Sequence, residues 1–214
     1  MKKRETFIHD LVGDLKPNYQ WLPSWRSAVW FSVAFLLNAA LMYFVQAYRP
    51  GFFEQLLEFP RFLTEILSAF ILSGFLVFWF FSSLVPGNKI RPAIFVLGAV
   101  SALIFLVTLV LGFQMASPPK SPLGARPFCV EEVFVYGLLG IVSFLFILRK
   151  THYKISIKNY VLLGVGAGLL PATLMQVACL YSPLHGLLLH YGPILVLVPL
   201  ALLLAPFKKF IDRS

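Results

Sequence analysis

The chain has 214 residues, of which 59% are hydrophobic and only 13% are charged. Soluble domains are about 45–50% apolar and about 25% charged, so this composition excludes a soluble globular enzyme; it also excludes a disordered chain, because disorder requires low hydrophobicity and high charge. The formal net charge is +9, but no basic stripe interleaved with aromatic residues is present. We therefore assign the positive charge to the flanks of membrane-spanning helices and predict no direct nucleic-acid binding.

The first predicted element is a short amphipathic helix in the N-terminal tail. Thr6 can cap its start, and Pro17 ends it. Asp10 and Asp14 lie on its polar face, and an apolar stripe with helical spacing is formed by Phe7, Ile8, Leu11, Val12 and Leu15. Because two helical turns are not stable alone in water, this stripe must lie on a surface. The residues fit a membrane surface and a groove in a protein partner equally well.

Six apolar stretches follow, each of about 20 residues, which is the length needed to cross a hydrocarbon core of about 30 Å. They cover residues 27–48, 63–85, 93–113, 130–148, 159–180 and 187–206. We predict an all-α integral membrane protein, a bundle of six transmembrane helices. Residues 1–25 form an N-terminal tail, residues 26–206 the transmembrane domain and residues 207–214 a C-terminal tail.

The lysines and arginines outside these spans predict the orientation. Fourteen of them lie on the side of both termini and four on the other side, which places both termini in the cytoplasm. We interpret the first span as a retained signal anchor. The loop between the fourth and fifth spans is cytoplasmic in this topology and suits an acidic partner surface through Arg149, Lys150, Lys154 and Lys158.

The predicted spans carry no ionisable side chain near their centres, which argues against an ion-coupled transporter. Gly164 and Gly168 have the spacing that lets two helices approach closely, and Pro171 is expected to kink the same helix. We predict a protein without catalytic residues. A small transporter or channel of unknown substrate is the alternative.

Cys129 begins the fourth span and Cys179 ends the fifth, so both reach the extracytoplasmic face, where disulfides persist. Three interpretations stay open: a structural disulfide, two inert thiols, or a site that responds to redox change or metal. His185 and His190 lie nearby, and thiolate with imidazole is a ligand set for soft metals. A metal ion at this cysteine pair is the one possible cofactor. We predict that the two sulfurs lie close enough to bond or to share a ligand.

Taken in order, several short motifs resemble the negative-regulator-of-sigma-F family, which are six-span bacterial anti-sigma factors. The resemblance covers nearly the whole chain. The residues that carry it are Asp10 to Leu15, Trp25-Arg26, Arg49-Pro50, Pro60-Arg61-Phe62, Glu65, Pro86-Gly87, Cys129, Cys179 to Pro183, and His190.

The resemblance implies a protein of the bacterial inner membrane that sequesters an extracytoplasmic-function sigma factor. The sigma-binding residues would be those of the tail helix: Phe7, Ile8, Asp10, Leu11, Val12, Asp14 and Leu15. It also implies that an outer oxidative or metal stress acts through Cys129 and Cys179 and releases the sigma factor. Making or breaking a link between these cysteines would shift the fourth and fifth spans and the basic loop between them.

Overall fold

A computed structural model describes residues 23–85, 88–114, 126–148, 156–179 and 182–204, and within these ranges it is helical, with no β-strand. The helices are α1 (Pro23–Val45), α2 (Phe52–Glu58), α3 (Pro60–Ser83), α4 (Pro92–Gly112), α5 (Cys129–Leu148), α6 (Ile157–Ala178) and α7 (Pro183–Leu203). The predicted tail helix, three residues of the basic loop (Arg149, Lys150 and Lys154) and the C-terminal tail lie outside the described residues.

Five of these helices are long and apolar enough to cross a membrane: α1 from Trp25, α3, α4, α6 and α7. The prediction of an all-helical protein with several membrane-crossing helices is confirmed. A sixth span, which would be the 20-residue helix α5, and the cytoplasmic position of both termini stay predictions.

Helix α6 is the centre of the bundle. It packs against α1, α3, α5 and α7. In its most apolar stretch of 18 residues, 83% is buried inside the bundle, compared with 17% for α1 and 28% for α4. Helix α4 packs mainly on α3. The exposed apolar faces of the outer helices are what a lipid environment accepts, since lipid tails are as apolar as leucine.

Glycines on α6 set its close contact with α7. A Cβ atom on Gly164 would lie 2.7 Å from Val198 Cα, and one on Gly168 would lie 2.9 Å from Leu197 Cδ1. Any larger residue at these positions would push the helices apart, as expected from the glycine spacing. On the other side of α6, the Ser73 hydroxyl donates to the Gly166 carbonyl at 3.3 Å. Pro171 lies inside the helix.

The core divides into two groups of buried residues, one towards each end of the bundle. One group contains Trp30, Phe80, Phe144 and Tyr160, and we name that side the aromatic end. The other contains Cys129 and Cys179 together with residues such as Met42 and Tyr136. We name that side the cysteine end. At the cysteine end α1 and α6 finish, while α3, α5 and α7 begin.

Two features of the fold differ from the expected pattern of six plain helices. The connection after α1 contains the short helix α2, which Gly51 precedes in a left-handed conformation with φ of 71°. Helix α7 contains a π-helical segment, Gly186–Tyr191, between α-helical segments Pro183–His185 and Ile194–Leu203. The π-helical segment shapes the candidate site.

Candidate functional site: a buried cysteine–histidine cluster

Four side chains from three helices meet at the cysteine end. Cys129 is the first residue of α5, Cys179 follows the last residue of α6, and His185 and His190 lie on α7. One ligand atom from each of the four, sulfur or ring nitrogen, lies within 4.8 Å of all the others. We refer to these four residues as the Cys/His cluster. Residues about fifty positions apart in sequence thus form a single site.

Both cysteines are free thiols and both are buried. His185 Nε2 lies 3.6 Å from Cys129 Sγ and 3.4 Å from Cys179 Sγ. These distances are in the range of hydrogen bonds to sulfur. Such bonds hold the side chains of Cys129, Cys179 and His185 together. In a tetrahedral site with bonds of about 2.3 Å to sulfur and about 2.0–2.1 Å to nitrogen, the ligand atoms are about 3.6 Å apart. The spacing therefore also suits one shared metal ion.

The π-helical segment is what brings the two histidines to the same face of α7. In an α-helix with 3.6 residues per turn, residues five apart point about 140° away from each other. A π-helix pairs residue i with residue i+5, so positions five apart lie nearly above one another. Here the ring centroids of His185 and His190 are 4.9 Å apart. Without the π-helical turn, one of these histidines would leave the cluster.

Buried polar side chains at the cluster have atoms without well-formed hydrogen bonds. His190 is 0% exposed, and neither of its ring nitrogens makes a well-formed hydrogen bond within the described part of the chain, although the Cys179 sulfur lies close enough to interact with the ring. The side-chain amide of Gln176, also 0% exposed, has none either, and it lies against Gly186 of the π-helical segment. Buried polar atoms are nearly always hydrogen-bonded, so these unsatisfied groups point to a ligand. Two sulfurs and two imidazoles are the donors that soft or borderline metal ions prefer.

The two sulfurs are not equivalent. Cys179 lies beyond the last residue of α6, where a hydrogen bond from the Cys129 thiol lowers its pKa below the ordinary value. The backbone N–H of Arg126 acts on this pKa in the same direction. The thiolate is the form of cysteine that binds metals and reacts with oxidants.

Arg126 connects this site to two other helices. Its side chain is 0% exposed and donates from Nη1 to Glu132 Oε2 of α5 at 2.7 Å. Its Nη2 donates to the carbonyl of Met42 at 2.8 Å and to that of Gln46. These carbonyls lie at the end of α1, where helices leave backbone acceptors unsatisfied. The side chain of Arg126 therefore joins α1 to α5, and its backbone lies near Cys179.

The structure brings together all four residues predicted for the possible metal site, including the two cysteines that were predicted to be close. Of the predicted basic loop, it describes Lys158, whose Nζ lies 4.4 Å from the centre of the Trp79 ring at the aromatic end. The predicted sigma-binding residues lie outside the described part of the chain.

The sequence did not identify Arg49, Arg126 and Gln176 as residues near the site. The arginines were interpreted as exposed flanks of the spans, yet Arg49 is 1% exposed and Arg126 is 4% exposed. Burial lowers the pKa of the Arg49 guanidinium from its ordinary value, while the Cys179 sulfur acts in the opposite direction. The only available signal was that both arginines lie close in sequence to predicted helix ends on the cysteine side.

Comparison of the chain with family models, with curated proteins and with solved structures finds no match.

Proposed function

We propose that this protein is a membrane-embedded anti-sigma factor of the bacterial inner membrane. In this proposal it holds an extracytoplasmic-function sigma factor on its cytoplasmic side and releases it when an oxidant or a metal ion reaches the Cys/His cluster. The sensing part of the proposal rests on one observation. One ligand atom from each of four residues lies within 4.8 Å of the other three, and these residues are Cys129, Cys179, His185 and His190. The sigma factor as partner rests on the resemblance of the sequence motifs to the negative-regulator-of-sigma-F family.

The topology of the proposal has six spans, with α5 as the fourth, and both termini in the cytoplasm. Helices alternate in direction along the chain, so the cysteine end is the extracytoplasmic end. The excess of lysine and arginine on the opposite side supports this orientation. The cluster then lies where an external stimulus arrives, and the N-terminal tail lies where a sigma factor is found.

A change at the cluster must alter the cytoplasmic face to have an effect. A stimulus shifts a protein between two states only if it interacts differently with each state. Metal binding or disulfide formation would draw Cys179 towards Cys129 and alter its contact with Arg126. Because Arg126 also holds the last carbonyls of α1, α1 would move as well, and α1 continues on its other side into the N-terminal tail.

The partner is tested by affinity purification of the tagged, detergent-solubilised protein from bacterial membranes, followed by mass spectrometry. We expect a sigma factor to copurify with the full chain and to be lost when residues 1–17 are deleted. Removing residues 207–214 is the matched control and should keep the sigma factor bound. Copurification that survives the first deletion would show that the tail does not bind the sigma factor.

A point variant sharpens the assignment of the amphipathic stripe. Replacing Leu11 and Leu15 by Asp should abolish capture, because a charged stripe cannot lie in an apolar groove. Lys16→Ala, on the polar face, is the control and should keep capture. If both variants release the sigma factor equally, the stripe is not the binding surface.

The sensing step is tested by adding hydrogen peroxide or Cd²⁺ to the captured complex. The wild-type chain should release the sigma factor, whereas Cys129→Ser and Cys179→Ser should retain it. The chain contains no other cysteine, so any release that persists in the double Cys-to-Ser variant would exclude thiol sensing.

A further inference from the structure

The short helix α2 lies between two helices that are long enough to cross a membrane. Six residues join the end of α1 at Val45 to the start of α2 at Phe52, and Phe59 alone separates α2 from α3. Both long helices reach the membrane boundary at the cysteine end, because a span ends where the hydrocarbon core ends. The chain connection therefore holds α2 at the boundary between lipid and water.

The segment before α2 turns back along α1. The Tyr48 hydroxyl donates to the Ala39 carbonyl at 2.8 Å. Ala39 precedes the end of α1 by six residues, which is about 9 Å along a helix that rises 1.5 Å per residue. The Tyr48 ring therefore lies beside the last turns of α1, and Gly51, with φ of 71°, lets the chain turn from there into α2.

Helix α2 has three distinct sides, because residues four apart share one side of a helix. Its half-buried side faces the protein and consists of Phe52, Gln55 and Leu56. A second side is apolar and open, with Phe53 69% exposed and Leu57 78% exposed. The third side carries the exposed carboxylates of Glu54 and Glu58. A helix at the junction of protein, lipid and water needs one side for each of them.

The open apolar side of α2 continues the lipid-facing surface of α1. Phe44, near the end of α1, is 82% exposed. Aromatic rings connect the two helices: ring centroids are 6.3 Å apart for Tyr43 and Tyr48, 5.9 Å for Tyr48 and Phe52, and 4.0 Å for Phe52 and Phe53. Tyrosine is enriched at the level of the lipid headgroups, so this aromatic group has the composition of a membrane–water interface.

We propose that α2 is an interfacial helix that docks on the lipid leaflet at the cysteine end. Phe53 and Leu57 insert between the headgroups, and Glu54 and Glu58 face the water. Interfacial helices bind membranes through such an apolar side beside a charged one. The partner of this surface is lipid, because the apolar side is continuous with the surface that lipid covers on α1.

The test replaces neighbouring residues of α2 by Trp, one at a time, in the full-length protein in phosphatidylcholine nanodiscs. Phe53→Trp probes the apolar side, and Glu54→Trp is the matched control on the charged side. Lipid brominated near the headgroup quenches a Trp that contacts lipid, whereas iodide quenches a Trp in water. The wild-type chain has four tryptophans, and its emission is subtracted from that of each variant.

We expect brominated lipid to quench the added emission of Phe53→Trp at least about threefold more than that of Glu54→Trp, with the reverse order for iodide, because the two sides of an interfacial helix meet different solvents. Leu57→Trp repeats the measurement on the apolar side in case Phe53→Trp does not fold. Stronger quenching of the apolar side by iodide would overturn the proposal in favour of a water-soluble protein partner. Protection from both reagents would overturn it in favour of a second copy of the chain.

A second measurement tests what holds α2 in place. Replacing Phe53 and Leu57 together by Asp should speed hydrogen exchange of the α2 amides at least about tenfold, because a helix this short is not stable without a surface. Replacing Glu54 and Glu58 by Gln is the control and should leave exchange unchanged. Equal exchange in the Asp variant and the wild type would contradict lipid docking. Both measurements are made without a sigma factor or a metal ion, so they test α2 independently of the proposed function.

Discussion

The two ends of the bundle are held together by different kinds of contact. At the aromatic end, Trp30 stacks on Phe144 with ring centroids 4.1 Å apart, and Phe80 lies edge-on to Phe144 at 4.9 Å. The hydrogen bonds found there join neutral groups, such as Ser83 to Asn159 at 3.0 Å. At the cysteine end, buried arginines, glutamates, thiols and imidazoles lie among the apolar side chains.

This difference separates a part of the molecule that holds its shape from one that can change it. Stacked rings and neutral hydrogen bonds have one good arrangement and do not depend on a ligand. Thiols and imidazoles change their interactions when an ion binds or when sulfur is oxidised. We therefore expect the aromatic end to act as the fixed part of the bundle and the cysteine end as its responsive part.

The largest effect is expected from breaking the buried ion pair at the cysteine end. Arg126→Met leaves Glu132 as an unpaired buried charge and should lower the free energy of unfolding by about 3–5 kcal/mol. Denaturation of the purified protein in detergent, followed by circular dichroism, measures this. The double variant Arg126→Met with Glu132→Leu should recover part of the loss, since no charge is left unpaired. A single variant as stable as the double would show that the pair is unimportant.

The next largest loss of stability is expected from a change at the aromatic end. Phe144→Ala removes a fully buried ring that contacts Trp30 and Phe80 and should cost about 3 kcal/mol of unfolding free energy. Unlike a change at Arg126, it should leave the rate of thiol labelling at Cys129 and Cys179 unchanged. Phe113→Ala is the control, because that ring is 53% exposed and its removal should have little effect. Faster labelling in Phe144→Ala would show that the two ends are not independent.

A smaller effect on stability, but a direct effect on the site, is expected at Gly192. A Cβ at this position would clash with the Leu188 carbonyl oxygen within the π-helical turn. Gly192→Ala should therefore destabilise the turn by about 1–3 kcal/mol and separate His190 from the cluster, which weakens Cd²⁺ binding. Gly74→Ala is the matched control, since its Cβ would lie 3.7 Å from Phe31, an ordinary contact. Equal Cd²⁺ binding in both variants would contradict the role of the π-helical turn.

The sequence was sufficient for the parts of the structure that depend on apolar length. The predicted spans agree with the helices to within a few residues, and the predicted close approach at Gly164 and Gly168 is a contact with α7. Alternating helix direction was also enough to expect Cys129 and Cys179 at one end. In each case a local property, hydropathy or residue size, decides the structure.

The rest of the site depends on tertiary structure that no local pattern specifies. Five-residue spacing does not place His185 and His190 on one face of an α-helix, and only the π-helical turn brings them together. Arg49 and Arg126 follow or precede spans, where arginine is usually exposed. Arg126 is buried by carbonyls of α1 and by Glu132, and Arg49 lies over the Phe62 ring; the sequence does not show which groups of other helices will meet these arginines.

The smallest effect concerns one neutral hydrogen bond at the aromatic end. Trp30 Nε1 donates to Ser143 Oγ at 2.8 Å, which links α1 to α5. Hydrogen bonds between helices in membranes contribute about 0.6 kcal/mol on average, so Ser143→Ala should lower the unfolding free energy by about that amount. Ser101→Ala is the control, because the Ser101 hydroxyl donates to Leu97 O of its own helix at 2.8 Å and joins no helices. If Ser143→Ala costs as much as Arg126→Met, polar contacts at the two ends are equally important, and the division into a fixed end and a responsive end would have to be given up.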